Sequence, residues 1–444
     1  MKYIYGLNKS GISIINYFNN TNVSFVAWDD NKKQRKKISS IYENIDFISP
    51  KEIDLKKIKE VYVTPGISFK EKKLNLFHSK NIKLYRDLEI YSKLITDQKV
   101  IAITGTNGKS TTTKLIGEII NSNNNKCFVG GNIGQPLLDF KNLNFDAKYH
   151  IIELSSYQLE SAPSFSSFIS IILNISKDHL DRYSSMKQYI AAKKNILNKS
   201  KNSYNIISID DNYCKEIYCS NRSIKTIPIS INKTLKKGIY FKDNKIYDNY
   251  FEKNEEIVLD SFSDSLFGNY NLQNIVAAYS VSKILNLDIK NFLEVISKFN
   301  GLPHRSEKIF ENRKFLIINN SKATNIISTI NSLKGHKNIY LILGGKAKDN
   351  NFKSLLNHKN DILKCFIIGE SSQLIYRQIH KSITSKISNN LQKAIKDIFF
   401  EINQCKENTK KTILFSPGCA SFDQFENFED RGNVFKKIII DQLN

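Results

Sequence analysis

A lysine and two hydroxyl residues follow a glycine turn in a spacing that suits the binding of nucleotide phosphates. Residues 104–113 read TGTNGKSTTT, between an apolar run that predicts a buried strand and a helical pattern. Backbone N–H groups at such a turn face the anion, the lysine reaches the outer phosphates and a hydroxyl ligates Mg²⁺. Ile103 stands where the common pattern has its first glycine, and an ordinary strand-to-helix turn is the alternative. The turn residues are Gly105, Thr106, Asn107, Gly108, Lys109, Ser110 and Thr111.

Three further groups of ionisable residues come after predicted strands downstream of this turn. Glu153 ends an apolar run, and an acid so placed near a phosphate loop handles Mg²⁺ or its water, or else merely faces solvent. Residues 178–182 read DHLDR after the next buried strand and are candidate ligands for metal or phosphate. Lys193 lies in the helix that follows, where a cation would repel Mg²⁺. It therefore either pairs with phosphate or has its charge chemically reversed.

The N-terminal stretch predicts a βαβ unit with a glycine turn. Residues 3–11 read YIYGLNKSG, and the second strand ends at Asp29. This is similar to the dinucleotide pattern GxGxxG with a distal acid, except that Asn8 replaces the glycine that lets a pyrophosphate approach. A looser diphosphate site and a purely structural turn are both open interpretations. The residues expected at the crevice beyond the carboxyl ends of these strands are Lys9, Ser10 and Asp29, together with Gly66 from a later Pro-Gly turn.

The rest of the chain predicts a hairpin, a polar helix start and a second α/β region. Residues 238–247 contain two β-rich runs joined by the turn residues Lys-Asp-Asn, which predicts a hairpin and a small antiparallel sheet. Asn271 and Asn274 are three residues apart and so share one face of a helix. Beyond residue 301, apolar strands run into loops rich in lysine, serine and threonine, which suit a small anionic substrate such as an amino acid or a phosphate.

Composition bounds the remaining possibilities. The net charge of +23 is spread along the 444 residues, mostly as lysine, which indicates a global bias rather than a nucleic-acid or membrane surface. The six cysteines form no CxxC pair or regular framework, so we expect reduced thiols. No apolar run approaches the roughly 18 residues of a membrane helix, and the N-terminus begins directly with a strand. We therefore expect a soluble, cytoplasmic protein.

Gathered together, these motifs resemble the Mur ligase family of ATP-dependent amide-bond-forming enzymes. The phosphate-loop wording, the motif that begins at Glu153, the DHxDR motif and the two asparagines occur in the family's order. Within the family, the chain most resembles the members that add D-glutamate. The stretches that carry this closer resemblance are 64–67, 131–134, 321–325, 344–345 and 416–428.

The resemblance implies an α/β protein of three domains. A Rossmann-like domain at 1–94 would bind a UDP-linked substrate, and a phosphate-loop ATPase-type domain at 95–300, with a small antiparallel sheet, would bind ATP. A Rossmann-like domain at 301–444 would bind the amino acid. The implied substrates are ATP, D-glutamate and UDP-N-acetylmuramoyl-L-alanine. The implied setting is cytoplasmic peptidoglycan precursor synthesis by a monomer without nucleic acid.

The resemblance also implies roles for individual residues. The implied catalytic residues are Lys109, Glu153, His179 and Lys193, and the implied ligands of two Mg²⁺ ions are Ser110, Glu153, His179 and Lys193 as a carbamate. ATP would contact residues 105–111 together with Asn271, Asn274, Arg305, Asn320 and Lys322. The UDP substrate would contact Lys9, Ser10, Asp29, Gly66, Asn132 and Ser155. D-Glutamate would contact Thr324, Lys348, Ser421 and Phe428.

One departure from the family and three alternatives accompany this interpretation. The family usually has an aspartate where this chain has Asn320, which implies an altered contact to the ATP ribose. The alternatives are a sister ligase or folylpolyglutamate synthase with another amino acid, a phosphate-loop ATPase stimulated by nucleic acid, and a non-catalytic nucleotide-sugar-binding relic. Segment 416–428 argues against the first alternative, and the intact set of catalytic residues argues against the relic.

Overall fold

The computed structural model describes residues 1–132, 136–139, 146–179, 182–198, 200–221, 225–252, 254–263, 266, 269–348, 351–404 and 409–443. It contains three β-sheets flanked by helices, which confirms the predicted α/β class. The chain forms two compact units, Met1–Asp260 with Gln273–Ile296 and Ser261–Leu272 with Ser297–Asn444. No helix in the described part of the chain has both the length and the apolar character that a bilayer crossing needs.

The first sheet has four parallel strands in the order β2-β1-β3-β4. Its strands are short apolar runs, as expected where helices cover both faces of a parallel sheet. Helix α1 begins at Lys9, directly beyond the carboxyl end of β1, as the glycine turn predicts. The elements are β1 (Lys2–Tyr5), α1 (Lys9–Asn20), β2 (Phe25–Trp28), α2 (Lys32–Ser39), β3 (Glu60–Val63), α3 (Asn75–Ser79), β4 (Lys83–Tyr85) and α4 (Asp87–Leu94).

The second sheet has nine strands in the order β13-β12-β11-β10-β9-β8-β5-β7-β6. The predicted antiparallel strands are present, and they extend the parallel part because β11 pairs with β10. The elements are β5 (Lys99–Thr104), α5 (Lys109–Ser122), β6 (Cys127–Gly131), β7 (Tyr149–Glu153), β8 (Ile169–Ile172), α6 (Met186–Lys194), β9 (Tyr204–Ser208), α7 (Asn212–Ser220), β10 (Lys225–Ser230), β11 (Ile239–Lys242), β12 (Lys245–Asp248), β13 (Glu255–Val258), α8 (Asn269–Leu285) and α9 (Ile289–Lys298).

The third sheet lies in the second compact unit and has the order β14-β15-β19-β16-β17-β18. Only its edge strand β14 is antiparallel to its neighbour. The elements are β14 (Glu307–Glu311), β15 (Phe315–Asn319), α10 (Ile326–Leu333), β16 (Ile339–Gly344), β17 (Ile362–Ile368), α11 (Ser372–Ile379), β18 (Ser385–Asn389), α12 (Leu391–Gln404), β19 (Lys411–Phe415) and α13 (Phe428–Leu443).

Five of the six cysteines lie in the described residues, and all five are free thiols. Cys405 lies outside the described residues. Burial raises the pKa of Cys127 to about 11 and the pKa of Cys419 to about 12. These thiols therefore stay protonated near neutral pH.

Candidate active site

The carboxyl ends of the adjacent strands β5, β7 and β8 form one edge of the second sheet. Thr104, Glu153 and Ile172 end these strands, so the glycine turn, the acid and the loop after β8 meet there. In an open α/β sheet, ligands bind in the crevice beyond the carboxyl ends of the strands. The fold thus brings the sequence-predicted phosphate loop and its candidate acid to one edge.

The glycine turn connects the end of β5 to the start of α5. Helix α5 begins at Lys109, and Gly108 before it has a φ of +85°. Because a Cβ at Gly108 would lie 2.4 Å from Asn274 Oδ1, only glycine fits there. The Lys109 ammonium donates to the carbonyls of Gly105 and Thr106 at 3.0 and 2.9 Å. The Lys109 side chain thus folds back onto its own turn in this structure. To bind a phosphate, it would have to give up these two hydrogen bonds.

Replacing Gly108 by alanine tests the fit of the turn against α8. We expect Gly108→Ala to lower the free energy of unfolding by about 1–3 kcal/mol, because it adds a left-handed strained residue and a clash with Asn274. Thermal denaturation measures this loss. Gly66→Ala is the matched control, since a Cβ there meets no atom within 4 Å. Equal melting temperatures for Gly108→Ala and the wild type would contradict the expectation.

A chain of side-chain amides braces the turn from outside. The backbone N–H of Asn107 donates to Asn174 Oδ1 at 2.8 Å, and Asn174 Nδ2 donates back to the Asn107 carbonyl at 3.1 Å. Asn174 Nδ2 also donates to Gln273 at 2.7 Å, and Gln273 donates to Ser208 at 2.7 Å. Sequence reasoning missed Asn174 and Gln273 as supports, although each adjoins a motif that it singled out.

The two asparagines of α8 are both buried. Asn274 Oδ1 accepts from the Thr112 hydroxyl at 3.1 Å, so it contacts the first turns of α5. Asn271 is 4% exposed and lies three residues earlier on the same helix. Their predicted contact with ATP stays a prediction.

Glu153 is the centre of an oxygen-rich cluster. Its carboxylate accepts a hydrogen bond from the Ser110 hydroxyl and another from Asn132 Nδ2, the latter at 3.0 Å. Glu153 and Ser110 are nearly inaccessible to solvent. Carboxylate and hydroxyl oxygens are the hard ligands that Mg²⁺ takes, usually with phosphate oxygens and water completing the shell. The donor set therefore fits Mg²⁺ held against a nucleotide.

His179 lies in the loop beyond β8 with a φ of +55°. Its Nδ1 is 2.6 Å from the Tyr157 hydroxyl, and its backbone N–H donates to Asp178 at 2.9 Å. Sequence reasoning missed Tyr157, which sits four residues after Glu153. Asp181 lies outside the described residues. Within the described residues, no group of three or more His, Cys, Asp and Glu side chains could hold a metal ion.

Lys193 is buried, with 2% of its surface exposed. Its Nζ donates to the Gly105 carbonyl at 2.7 Å and approaches Thr104 Oγ1 at 3.4 Å. Burial, and next the charge of Lys109, hold the pKa of Lys193 well below its ordinary value. The deprotonated amine, a nucleophile, is thereby favoured directly beside the phosphate loop.

The N-terminal crevice has an acid that shapes its turn. Asp29 accepts from the backbone N–H of Leu7 at 2.7 Å and of Asn31 at 2.8 Å, so it fixes the loop between β1 and α1. Lys9 is exposed at the start of α1, and Ser10 hydrogen-bonds the buried Asp87. Burial raises the pKa of Asp87, whereas the bond from Ser10 lowers it.

Two other predicted substrate contacts of this unit differ in their surroundings. The backbone N–H and hydroxyl of Ser155 share Gln158 Oε1 as acceptor, at 3.1 and 3.0 Å. Gly66 faces open space. Among the described residues, its backbone N–H makes no hydrogen bond, so it is free to meet a ligand.

In the second unit, the loops after β15 and β19 are joined by a buried arginine. Arg431 donates to the Ser321 carbonyl at 2.7 Å, to the Ser321 hydroxyl at 3.0 Å and to the Cys419 carbonyl at 3.1 Å. The Lys322 ammonium lies 3.6 Å above the ring centre of Phe428. Sequence reasoning missed Arg431, which lies three residues beyond the predicted segment.

The other predicted residues of this unit lie on the same group of loops. The side-chain oxygen of Asn320 accepts from the Ser306 backbone N–H, and its Nδ2 donates to the Ser416 hydroxyl, both at 3.2 Å. Both polar groups of the amide therefore support the loop. Ser421 is 2% exposed, whereas Lys348 is exposed. Thr324 and Arg305 are partly buried.

Comparisons with known proteins show the family to which the chain belongs. Residues 1–85 match the model described as Mur ligase MurD-like, N-terminal domain, and residues 103–282 match the Mur ligase middle domain. The UDP-N-acetylmuramoylalanine--D-glutamate ligase of Rickettsia prowazekii (strain Madrid E) is 36% identical, over 98% of this chain and 96% of the relative. The protein of that name from Caulobacter vibrioides (strain NA1000 / CB15N) is 31% identical over 98% and 94%.

Solved structures share the fold at low sequence identity. The UDP-N-acetylmuramate-alanine ligase MurC of Thermotoga maritima has a TM-score of 0.61 at 15% identity and covers 99% of both chains. A pseudomurein peptide ligase type C from Methanothermus fervidus has a TM-score of 0.61 at 16% identity and covers 100% of both. The fold is that of an α/β protein in which the glycine turn lies between β5 and α5. With relatives above 30% identity over nearly its whole length, the chain belongs to the Mur ligase family.

Proposed function

We propose that this protein is an ATP-dependent ligase that adds D-glutamate to UDP-N-acetylmuramoyl-L-alanine in peptidoglycan precursor synthesis. One observation carries the proposal: Lys109, the Ser110–Glu153 pair and the buried Lys193 converge on one phosphate loop. Full-length relatives named UDP-N-acetylmuramoylalanine--D-glutamate ligase support the choice of substrates. The predicted domains at 1–94, 95–300 and 301–444, a cytoplasmic location and a monomeric state belong to the same proposal.

The reaction has two steps, the formation of an acyl phosphate and its conversion to an amide. First, a carboxylate oxygen of the L-alanine residue attacks the γ-phosphorus of ATP, and the bond from that phosphorus to the β-γ bridging oxygen breaks to release ADP. The product is an acyl phosphate. Next, the neutral amine of D-glutamate attacks the acyl carbon, the carbon–oxygen bond to phosphate breaks to release inorganic phosphate, and the nitrogen loses one proton to solvent. No enzyme nucleophile is needed, so positioning and charge neutralisation supply the catalysis.

The residues of the phosphate loop suit the first step. Lys109 exchanges its bonds to the loop carbonyls for the nucleotide phosphates, which neutralises charge that develops on them. Ser110 and Glu153 would hold Mg²⁺, which supplies further charge neutralisation at the phosphates when bound. His179, held by Tyr157, would serve a second ion.

Lys193 takes part as a carbamate. Its neutral amine attacks carbon dioxide, a nitrogen–carbon bond forms, and a proton leaves to solvent. The lowered pKa of Lys193 favours the neutral amine that this step needs. The product is an anion with two oxygens, which removes the conflict between a cation and a metal site.

The second unit supports recognition of D-glutamate. Arg431 holds the loops that carry Lys322 and Ser421, next to Phe428. Lysine and hydroxyl groups suit the two carboxylates of glutamate. We assign Thr324, Lys348, Ser421 and Phe428 to this pocket.

Substituting Gly66 tests the nucleotide-sugar end of the site. We expect Gly66→Ala to raise the KM for UDP-N-acetylmuramoyl-L-alanine about tenfold, because a methyl group fills space in which the diphosphate would lie. Steady-state kinetics measures this change. The melting temperature should not fall, since the methyl meets no protein atom. An unchanged KM would contradict the assignment of Gly66.

The test of the proposed function is phosphate release from ATP with Mg²⁺ and UDP-N-acetylmuramoyl-L-alanine. D-Glutamate is compared with L-glutamate, L-alanine, L-lysine and meso-diaminopimelate. Release that depends on D-glutamate alone supports the reaction and its specificity together. Release with another amino acid keeps the family and overturns the substrate. ATP turnover that depends only on added nucleic acid overturns the proposal.

A further inference from the structure

Two arginines bind the carbonyl side of the loop that carries Gly66. Arg182 donates from Nη1 to the Pro65 carbonyl at 2.7 Å and from Nη2 to the Ile67 carbonyl at 3.0 Å. Arg86 donates from Nη1 to the carbonyls of Val63, Thr64 and Ile67 at 3.0, 2.8 and 2.9 Å. All of these contacts lie within the first compact unit. Four of the five carbonyls from residue 63 to residue 67 therefore point at a guanidinium group.

One carboxylate joins the two arginines. Glu160 Oε2 accepts from Arg86 Nη2 and, at 3.1 Å, from Arg182 Nη2. The side chain of Arg86 is fully buried, and that of Arg182 is 9% exposed. The Nη groups of both arginines are paired with carbonyl and carboxylate oxygens, whereas the buried Nε of each has no hydrogen-bond partner among the described residues. The pairing of the charge and of the Nη donors holds both side chains in place.

Aromatic rings limit the remaining freedom of the two guanidinium groups. Arg86 lies 3.7 Å from the ring centre of Phe69, and Arg182 lies 4.1 Å from that of Tyr157. Tyr157 is also the partner of His179. The loop of the first sheet is thus held by groups that belong to the candidate active site of the second sheet.

The bond from Arg182 to the Pro65 carbonyl also fixes the direction in which the backbone N–H of Gly66 points. The peptide bond between Pro65 and Gly66 is trans, as all peptide bonds in the described residues are. In a planar trans peptide, the C=O and the N–H point in opposite directions. Because Arg182 binds the Pro65 carbonyl, the N–H of Gly66 must point away from Arg182. It points out of the arginine cluster, and Gly66 borders open space.

We propose that Arg182, locked by Glu160 and Arg86, is a positioning residue that aims the Gly66 amide at the diphosphate of the uridine nucleotide substrate. This inference rests on the proposed function. The same bonds turn the carbonyl dipoles of the loop away from the bound anion, where they would repel it. Arg182 itself does not touch the substrate, so its effect is on nucleotide affinity.

The test compares Arg182→Met with Arg182→Lys and measures the dissociation constant of uridine diphosphate by calorimetry. Lysine keeps the charge but places all its donors on one nitrogen, so it cannot reproduce the two separate Nη groups that bind the Pro65 and Ile67 carbonyls. We expect affinity for uridine diphosphate to fall about tenfold or more in the methionine variant and by less in the lysine variant. The affinity for ATP should stay within twofold of the wild type, because the phosphate loop is untouched. In steady-state kinetics, we expect Arg182→Met to raise the KM for UDP-N-acetylmuramoyl-L-alanine with little change in kcat.

Lys283→Met is the matched control for the loss of a partly buried ion pair. Lys283 contacts Glu255 at 2.8 Å on a different part of the second sheet. It should lower the melting temperature without changing the affinity for uridine diphosphate. Equal losses of uridine diphosphate affinity in Lys283→Met and Arg182→Met would overturn the proposal, because the effect would then be one of stability.

A second variant covers the case in which Arg182→Met does not fold. Glu160→Gln keeps the size of the side chain and removes the charge that holds both arginines, so it should also weaken uridine diphosphate binding. If Glu160→Gln and Arg182→Lys both bind uridine diphosphate with wild-type affinity, the inference is overturned. The proposed function still stands in that case, provided that the wild type releases phosphate in a D-glutamate-dependent way. If the wild-type protein does not release phosphate in this assay, the proposed function is contradicted. If the wild-type protein does not bind uridine diphosphate, the inference about Arg182 is overturned.

Discussion

Lys193→Ala should lower kcat for ligation by about 10²- to 10³-fold, because it removes the anion that the carbamate supplies beside the phosphates. A short-chain carboxylate or bicarbonate added to the variant should restore part of the activity by occupying the vacated place. Phosphate release in the presence of D-glutamate measures both the loss and the rescue.

Lys194→Ala is the matched control for this substitution. Lys194 is the next residue of α6, is exposed and donates to the Ser220 hydroxyl at 3.4 Å. It should keep wild-type activity. A ¹³C-bicarbonate NMR experiment should show a carbamate signal in the wild type and in Lys194→Ala, but not in Lys193→Ala. Full activity of the untreated Lys193→Ala variant would contradict the role.

The pH dependence of the carbamate follows from the direction of the pKa shift. Only the neutral amine reacts with carbon dioxide, and its fraction grows as the pH rises through the pKa of Lys193. Because burial and Lys109 lower that pKa, the amine is already neutral at a pH where an exposed lysine is charged. The ¹³C signal should therefore persist to lower pH than the carbamates of exposed lysines.

Lys109→Met should be the second variant with a large effect, lowering kcat for phosphate release by about 10³-fold. The methionine side chain fits the space of the lysine but cannot neutralise phosphate charge. It also cannot bind the carbonyls of Gly105 and Thr106, so the turn loses two hydrogen bonds. Phosphate release and ATP binding by calorimetry measure the two consequences separately.

Lys114→Met is the control on the same helix. Lys114 pairs with Glu118 one turn further along α5, at 3.5 Å, and does not belong to the glycine turn. Its loss should leave kcat within twofold of the wild type, since pairs of this kind contribute only about 0.3–0.5 kcal/mol. A Lys109→Met variant as active as Lys114→Met would exclude Lys109 from catalysis.

The features that sequence reasoning located were those in which a short motif decides the geometry. The glycine turn lies between a strand and a helix, so the position of Lys109 and Ser110 follows from local sequence alone. Glu153 was found for a similar reason, because it ends an apolar run beside that turn. Parallel strands place their carboxyl ends at one edge, which brings such residues together without further information.

The features that it missed depend on contacts between distant parts of the chain. Arg86 and Glu160 are 74 residues apart, and Asn174 and Gln273 are 99 residues apart. No spacing rule links such pairs, and a lone arginine or amide resembles a surface residue in the sequence. The antiparallel hairpin was predicted from two β-rich runs joined by turn residues, but its attachment to β10 was not, because strand order is a long-range property.

The outer edge of the second sheet bears on how this chain avoids aggregation. Strand β13 ends the sheet and, among the described strands, pairs with β12 alone, so it is an edge strand. The strand is four residues long and begins with Glu255 and Glu256, each of which pairs with a lysine. Short length and charge are the means by which edge strands resist pairing with other chains. The hairpin thus replaces a long, apolar parallel edge by a short, charged one, which protects a lysine-rich protein from assembling through its largest sheet.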